Sequence, residues 1–191
     1  MSEAADRFLH DVGAWAPPEQ AAGVIAPGLA AATAARLLRS PRLAARGAAL
    51  LAARLGDGTL EALAPEDRFA ARCDAVRLRA LASLAGAVWH AARLRRLVRG
   101  AEIGAFVAQH GEAARAAALR YAALAPAAPE GSDDVAADVA RDGGHCVAAW
   151  IGFLPGFAAA RLRLLWPEPA PARFEAGRGR RILRAVAAES A

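Results

Sequence analysis

Residues 68–99 read RFAARCDAVRLRALASLAGAVWHAARLRRLVR, and this stretch decides the fold class. It holds no proline and a single glycine, Gly86. Apolar side chains recur three and four apart at Phe69, Cys73, Val76, Leu81, Leu84, Val88, Ala91 and Leu94, closing at Val98. That spacing lines one side of an amphipathic helix and fits poorly the period of two that a half-buried strand requires. Pro65, Glu66 and Asp67 supply helix-opening chemistry, since proline tolerates the first turn and acids suit the positive helix end. At the other end Arg93, Arg95, Arg96 and Arg99 suit the negative pole, and Gly100 can leave the helix with positive φ. A single helix of this length would run roughly 50 Å, more than a domain of this size needs. The reading is therefore a long central helix, or a kinked pair bent near 83–86.

Working outward, every other periodic segment is also helical. A short amphipathic helix is predicted over residues 3–13, ending before Pro17-Pro18, and two pieces over 19–38 divided at Pro27-Gly28. Ser40-Pro41 carries the N-cap and first-position signals for a helix ending at Gly56. Helices follow at 101–110, with Gly111 as the stop, and at 111–124, ended before Pro126. APAAPEGS, residues 125–132, is the clearest loop; Ser132 with Asp133 and Asp134 then opens a helix that Gly143-Gly144 weakens and Pro155 breaks. A turn-rich helix over 155–166 leads to the linker PEPAPA. The fold class is all-α: a single-domain, orthogonal or irregular helical bundle around the long central helix. Residues 1–168 form the helical domain, and 169–191 a basic tail or last helix.

Composition bounds function less tightly. All 24 positive charges are arginine, and there is neither lysine nor asparagine, which points to a biased genome rather than to selection for arginine chemistry. The net charge of +5 permits nucleic acid, acidic lipid or an acidic protein and selects none of them. The few aromatics make Trp15, Trp89, Trp150 and Trp166 candidate core anchors. Cys73 and Cys146 sit in apolar runs and read as buried, reduced thiols. The first residues lack the apolar core of a secretory signal, and the longest uncharged run, 143–160, holds a histidine, four glycines and Pro155. That is too broken for a membrane span, so a soluble protein is expected.

Chemistry-bearing constellations are scarce. The four histidines are isolated; His145-Cys146 lacks a second ligand pair at zinc spacing, and His90 beside Trp89 reads as an interface histidine. No nucleophile elbow, phosphate loop or dinucleotide fingerprint occurs, so no catalytic residue, cofactor or metal is assigned. What remains is charge. The arginines Arg93, Arg95, Arg96 and Arg99, the acids Asp133, Asp134 and Asp138, and Arg161 with Arg163 are the candidate protein-interaction residues. Nucleic-acid binding would ask for stacking aromatics or a helix-turn-helix beside the arginines, and neither is visible.

Two blocks of sequence resemble a known family. LRALASLAGAVWHAARLRRLVRG is similar to a stretch of the SctK proteins (YscK, PscK) of bacterial type III secretion systems, where a leucine-rich helix meets a glycine, a histidine, an arginine pair and a valine. Here those positions are Leu84, Gly86, His90, Arg95, Arg96 and Val98, with Trp89 beside the histidine. The second block has a glycine after an acidic loop, an Ala-Trp pair, a proline and an Arg-Leu-Arg-Leu run closed by proline. It reads Gly144, Ala149, Trp150, Pro155, Arg161, Leu162, Arg163, Leu164 and Pro167. The resemblance spans about residues 66–168. It implies a non-enzymatic cytosolic adaptor of the sorting platform, at the cytosolic face of the inner membrane, linking the cytoplasmic domain of the ring protein SctD to the spoke protein SctQ. Neither nucleic acid nor membrane insertion belongs to that reading. The alternatives are an arginine-rich helical nucleic-acid-binding protein, and a small helical enzyme or maturation chaperone with an apolar pocket.

Overall fold

The computed structural model describes residues 3–97 and 99–189. Among them every regular element is helical and none is a strand, so the fold is all-α. No helix among the described residues is long and apolar enough to cross a membrane. In chain order the α-helices are α1 (Glu3–His10), α2 (Val12–Trp15), α3 (Pro18–Ile25), α4 (Ala31–Arg39), α5 (Ala44–Leu55), α6 (Ala75–Trp89), α7 (Ala91–Leu94), α8 (Gly100–His110), α9 (Glu112–Arg120), α10 (Val135–Gly152), α11 (Gly156–Arg163) and α12 (Ala176–Glu189). Short 3-10 helices occupy Leu60–Ala62, Pro65–Arg72 and Ala122–Leu124.

The helices gather into two compact units. One takes residues up to 74 together with Leu154–Glu168, the other Ala75–Phe153 with the segment from Pro169 onward. In the first unit α2, α3 and α5 close on Val12, Ala16, Ala21, Leu51, Leu55 and Leu164, with Trp15, Val24, Ile25 and Leu38 packed against them. Trp15 also stacks on Phe8 at 6.2 Å. Arg161 belongs to this interior. It is 2 % exposed and donates to the carbonyls of Leu9 (2.9 Å), Gly56 (2.8 Å) and Phe157 (3.1 Å), tying α11 to the end of α1 and the end of α5. Burial lowers its pKa, and nearby Asp57 partly offsets this. Arg161 is therefore no interaction residue, because its guanidinium is enclosed in the unit, both terminal nitrogens donating to carbonyls and Nε buried without a partner among the described residues; Arg163, two positions on, is exposed.

In the second unit α6 lies against α10, α9 and α12, and α10 also packs on α12. This explains why one stripe fails to describe α6: from Ala85 to Trp89 every residue is buried, as in a helix surrounded on several sides. The predicted long rod is in fact divided, and not where a bend was expected. Cys73 is extended (φ −84°, ψ 124°) between the 3-10 helix Pro65–Arg72 and α6, and His90 (φ −97°, ψ 20°) separates α6 from the single turn α7.

No break occurs over 83–86. Gly86 instead meets Gly143 across the α6–α10 crossing. A Cβ on Gly86 would run into the Val139 carbonyl and come within 3.0 Å of the Gly143 nitrogen, and a Cβ on Gly143 would run into the Ala82 carbonyl. Gly86 and Gly143 let the backbones touch, and α10 runs unbroken through Gly143-Gly144 rather than being weakened there. Residues 176–189 form α12, burying Ile182, Leu183, Val186 and Ala187, so the tail is a last helix and not a loose basic end. Helix α5 begins at Ala44, after turn residues 41–43, and not at Ser40-Pro41.

Candidate functional site

Helix α10 carries Asp138, Arg141, Asp142 and His145 at positions i, i+3, i+4 and i+7, which places four polar side chains on one helical face. The junction of α6 and α7 presents His90 and Arg93 to that face. Asp138, only 1 % exposed, accepts from Arg93 Nη1 (2.6 Å), Arg141 Nη1 (2.7 Å) and the Ser132 backbone N–H (2.6 Å). Arg93 also donates to the Ser132 carbonyl. Asp142 accepts from Arg141 through Nε and Nη2, both at 3.0 Å, and pairs with His90 Nε2 at 2.7 Å and His145 Nδ1 at 3.2 Å. Two buried carboxylates thus balance two guanidiniums that reach the surface, Arg141 more than Arg93.

Burial by itself would raise the Asp142 carboxyl, but hydrogen bonds from His90 and Arg141 outweigh it and hold the pKa at about 2. Asp138 follows the same logic: burial opposes ionisation, and hydrogen bonds from Arg93, Ser132 and Arg141 overcome it. The bond to Asp142 in turn raises Arg141 against the cost of burial. Cys146, one turn from Asp142, is fully buried, and that burial together with the neighbouring negative charge pushes its thiol upward, so it is an inert core residue. Cys73 is buried too, and neither cysteine forms a disulfide among the described residues.

A His–Asp pair invites a catalytic reading, but geometry gives it another job. His90 has no exposed surface, its Nε2 is engaged by Asp142, and its Nδ1 is buried without a partner among the described residues. No approach is left through which this imidazole could exchange a proton with substrate. The pair bolts the end of α6 to α10. Beside it lies an open cleft of about 560 Å³, walled by Trp89, Phe174, Pro126 and Pro129 and edged by Arg141, Asp142 and His145. Trp89 stacks on Phe174 at 4.4 Å, with His145 edge-on to the same ring at 5.4 Å.

The interaction residues proposed from sequence therefore divide. Arg93 and Asp138 are consumed by each other, and Arg161 by carbonyls; none presents a free charge. Asp134 is exposed but caps α10, accepting from the Ala137 N–H at 2.9 Å; of Ser132, Asp133 and Asp134, read together as the helix opening, it is the N-cap. Asp133, Arg95, Arg96, Arg99 and Arg163 remain at the surface. Of the residues that carry the resemblance, Gly86, Trp89, His90, Trp150, Leu162 and Leu164 are buried, Leu84 and Pro155 are half-buried, and Pro167 is exposed. Val98 lies outside the described residues. The sequence groups Asp142 and Arg141 with the acids of residues 130–142 as a solvated helix start; it does not show that His90 and Arg93 fold onto them, although the i, i+3, i+4, i+7 spacing of Asp138, Arg141, Asp142 and His145 was a usable signal for one shared face. Among the described residues no three His, Cys, Asp or Glu side chains converge in a way that could hold a metal ion. No protein-family model, curated protein or solved structure matches the chain.

Proposed function

We propose that this chain is a non-enzymatic adaptor of a bacterial type III secretion sorting platform, joining the cytoplasmic domain of SctD to SctQ at the cytosolic face of the inner membrane. The observation that carries the proposal is the ordered pair of sequence blocks similar to SctK proteins. The distribution of their side chains supports it. Gly86, His90, Trp150, Leu162 and Leu164 form interior framework, whereas Arg95, Arg96 and Arg99 stand exposed at the end of the first block. An adaptor works through such a surface: charged rims orient the partners and a few apolar anchors supply affinity.

Co-purification with SctD cytoplasmic domain and with SctQ tests the proposal. Retention of both by the wild-type chain, lowered about tenfold by Arg95→Glu with Arg96→Glu at unchanged melting temperature, is the expected result. If neither partner is retained, the adaptor reading fails. Normal assembly of the double variant removes those two arginines from the interface. The same arginines would serve a nucleic-acid-binding protein, and duplex or RNA retardation that weakens steeply with salt would transfer the assignment to that class.

A further inference from the structure

Where α7, α8 and α9 meet, a second cleft opens, with Leu94, Leu97, Ile103 and Leu119 on its floor and Arg95 and Arg115 on its rim. Its volume is about 150 Å³. Cavities that take small-molecule ligands usually span roughly 300–1,000 Å³, whereas one near 150 Å³ accommodates about a benzene ring. The space suits one inserted leucine or phenylalanine side chain. Leu119 is 54 % exposed, and Leu94, Leu97 and Ile103 are half-buried, so an apolar floor is open to an incoming chain.

The rim says which chain. Arg95, Arg96, Arg99 and Arg115 all stand at the surface around this junction. The carboxylates nearby, Glu102 and Glu112, already lie against Arg99 (3.8 Å) and Arg115 (3.5 Å), each three residues away on the helix. Arg95 and Arg115 on the rim, with Arg96 and Arg99 close by in the chain, outnumber those two glutamates and leave this end of the unit positive. The floor is aliphatic and offers no ring for a base to stack on, which disfavours nucleic acid. We propose that this groove docks an acidic amphipathic helix of a partner protein, one apolar side chain entering beside Leu119 and flanking carboxylates meeting Arg95 and Arg115. The proposal rests on the adaptor reading, whose partner segment it describes, and its test separates the two.

The probe is a fluorescein-labelled amphipathic peptide with leucines at i, i+3, i+4 and i+7 and glutamates on its flanks. It is compared with an arginine-for-glutamate mirror and a scrambled isomer by anisotropy on the full chain. The acidic peptide should bind at least about tenfold tighter than either control, and less tightly as salt rises. Leu119→Asp should weaken binding about tenfold or more, as should Arg95→Glu, both at positions exposed enough to leave the fold intact. Failure of the acidic peptide to bind, equal binding of the scrambled isomer, or indifference to Leu119→Asp overturns the proposal. So does a concentration-dependent dimer that Leu119→Asp dissolves, since the occupant would then be a second copy. If peptide binding holds while SctD and SctQ are not retained, the adaptor reading falls and the groove stands. If both partners co-purify and Leu119→Asp leaves them bound, the groove falls and the adaptor reading stands.

Discussion

Replacing Gly86 by alanine should destabilise the second unit, although alanine is the better helix former. The added Cβ would lie 2.8 Å from the Val139 carbonyl carbon and 3.0 Å from the Gly143 nitrogen, and closer still to the Val139 oxygen. Non-bonded carbons rest about 3.5–4.0 Å apart, so the shortfall is roughly 0.7–1.2 Å. Every atom in the way is backbone of α10, and no side-chain rotation relieves the clash. The two helices must separate by about 1 Å, and a gap of that size forfeits a quarter to a half of each flanking dispersion contact. Overpacking on this scale costs about 3 kcal/mol, against a gain of about 1 kcal/mol in helix propensity. A net loss of about 2 kcal/mol is expected, or about 10 °C in melting temperature for a unit of this size. Gly104→Ala is the control, since nothing lies within 4 Å of a Cβ placed there in α8; it should stabilise by about 0.5–1 kcal/mol. Urea and thermal unfolding followed by far-UV circular dichroism and tryptophan fluorescence read both variants. If Gly86→Ala proves neutral or stabilising alongside Gly104→Ala, the close α6–α10 crossing is wrong.

Asp142→Asn should cost stability in a pH-dependent way. A carboxyl held at about 2 in the folded chain, against an ordinary value near 4 unfolded, contributes on the order of 2 kcal/mol, present above pH ~4 and lost as the pH falls through 2. Urea unfolding across that range should show a shallower acid limb for the variant, and an unchanged slope would deny Asp142 its ion pair. Arg161→Ala leaves the carbonyls of Leu9, Gly56 and Phe157 without their donor and should cost the first unit about 3 kcal/mol or more, while Arg163→Ala stays within about 0.5 kcal/mol of wild type. Equal effects of these two substitutions in chemical unfolding would contradict the burial of Arg161.

These predictions fall where sequence and structure part company. The all-α class was legible because period-three-to-four apolar spacing recurs along the chain, and several boundaries were legible because backbone chemistry marks them. Gly28 and Gly111, for instance, adopt positive φ where a division and a stop were expected. The central stretch was harder. A lone glycine in a helix signals either a bend or a close approach, and only the partner decides. For Gly86 that partner, Gly143, lies far along the chain. The acidic cluster misled in the same way, since Asp138 reads as a solvated helix start until Arg93, 45 residues earlier, is folded onto it.

Arg161 and Arg163 show the physical reason most plainly. They share one Arg-Leu-Arg-Leu run and identical chemistry, yet the first is enclosed and the second open to water. Two residues along a helix are a turn of about 200°. One guanidinium therefore faces carbonyls contributed from 105 and 152 residues away, and the other faces solvent. A charge becomes available to a partner only when the chain has not supplied a counterpart of its own. By that criterion Arg93, Asp138, Asp142 and Arg161 are spent on holding helices together, and Arg141 on pairing the two carboxylates of its own helix. Of the charges the sequence singled out, Arg95, Arg96, Arg163 and Asp133 remain at the surface, and Arg99 is met there by Glu102 at 3.8 Å. An arginine-rich composition produces many positive side chains without function, so it is this remainder, and not the net charge, that should govern which partner is sought.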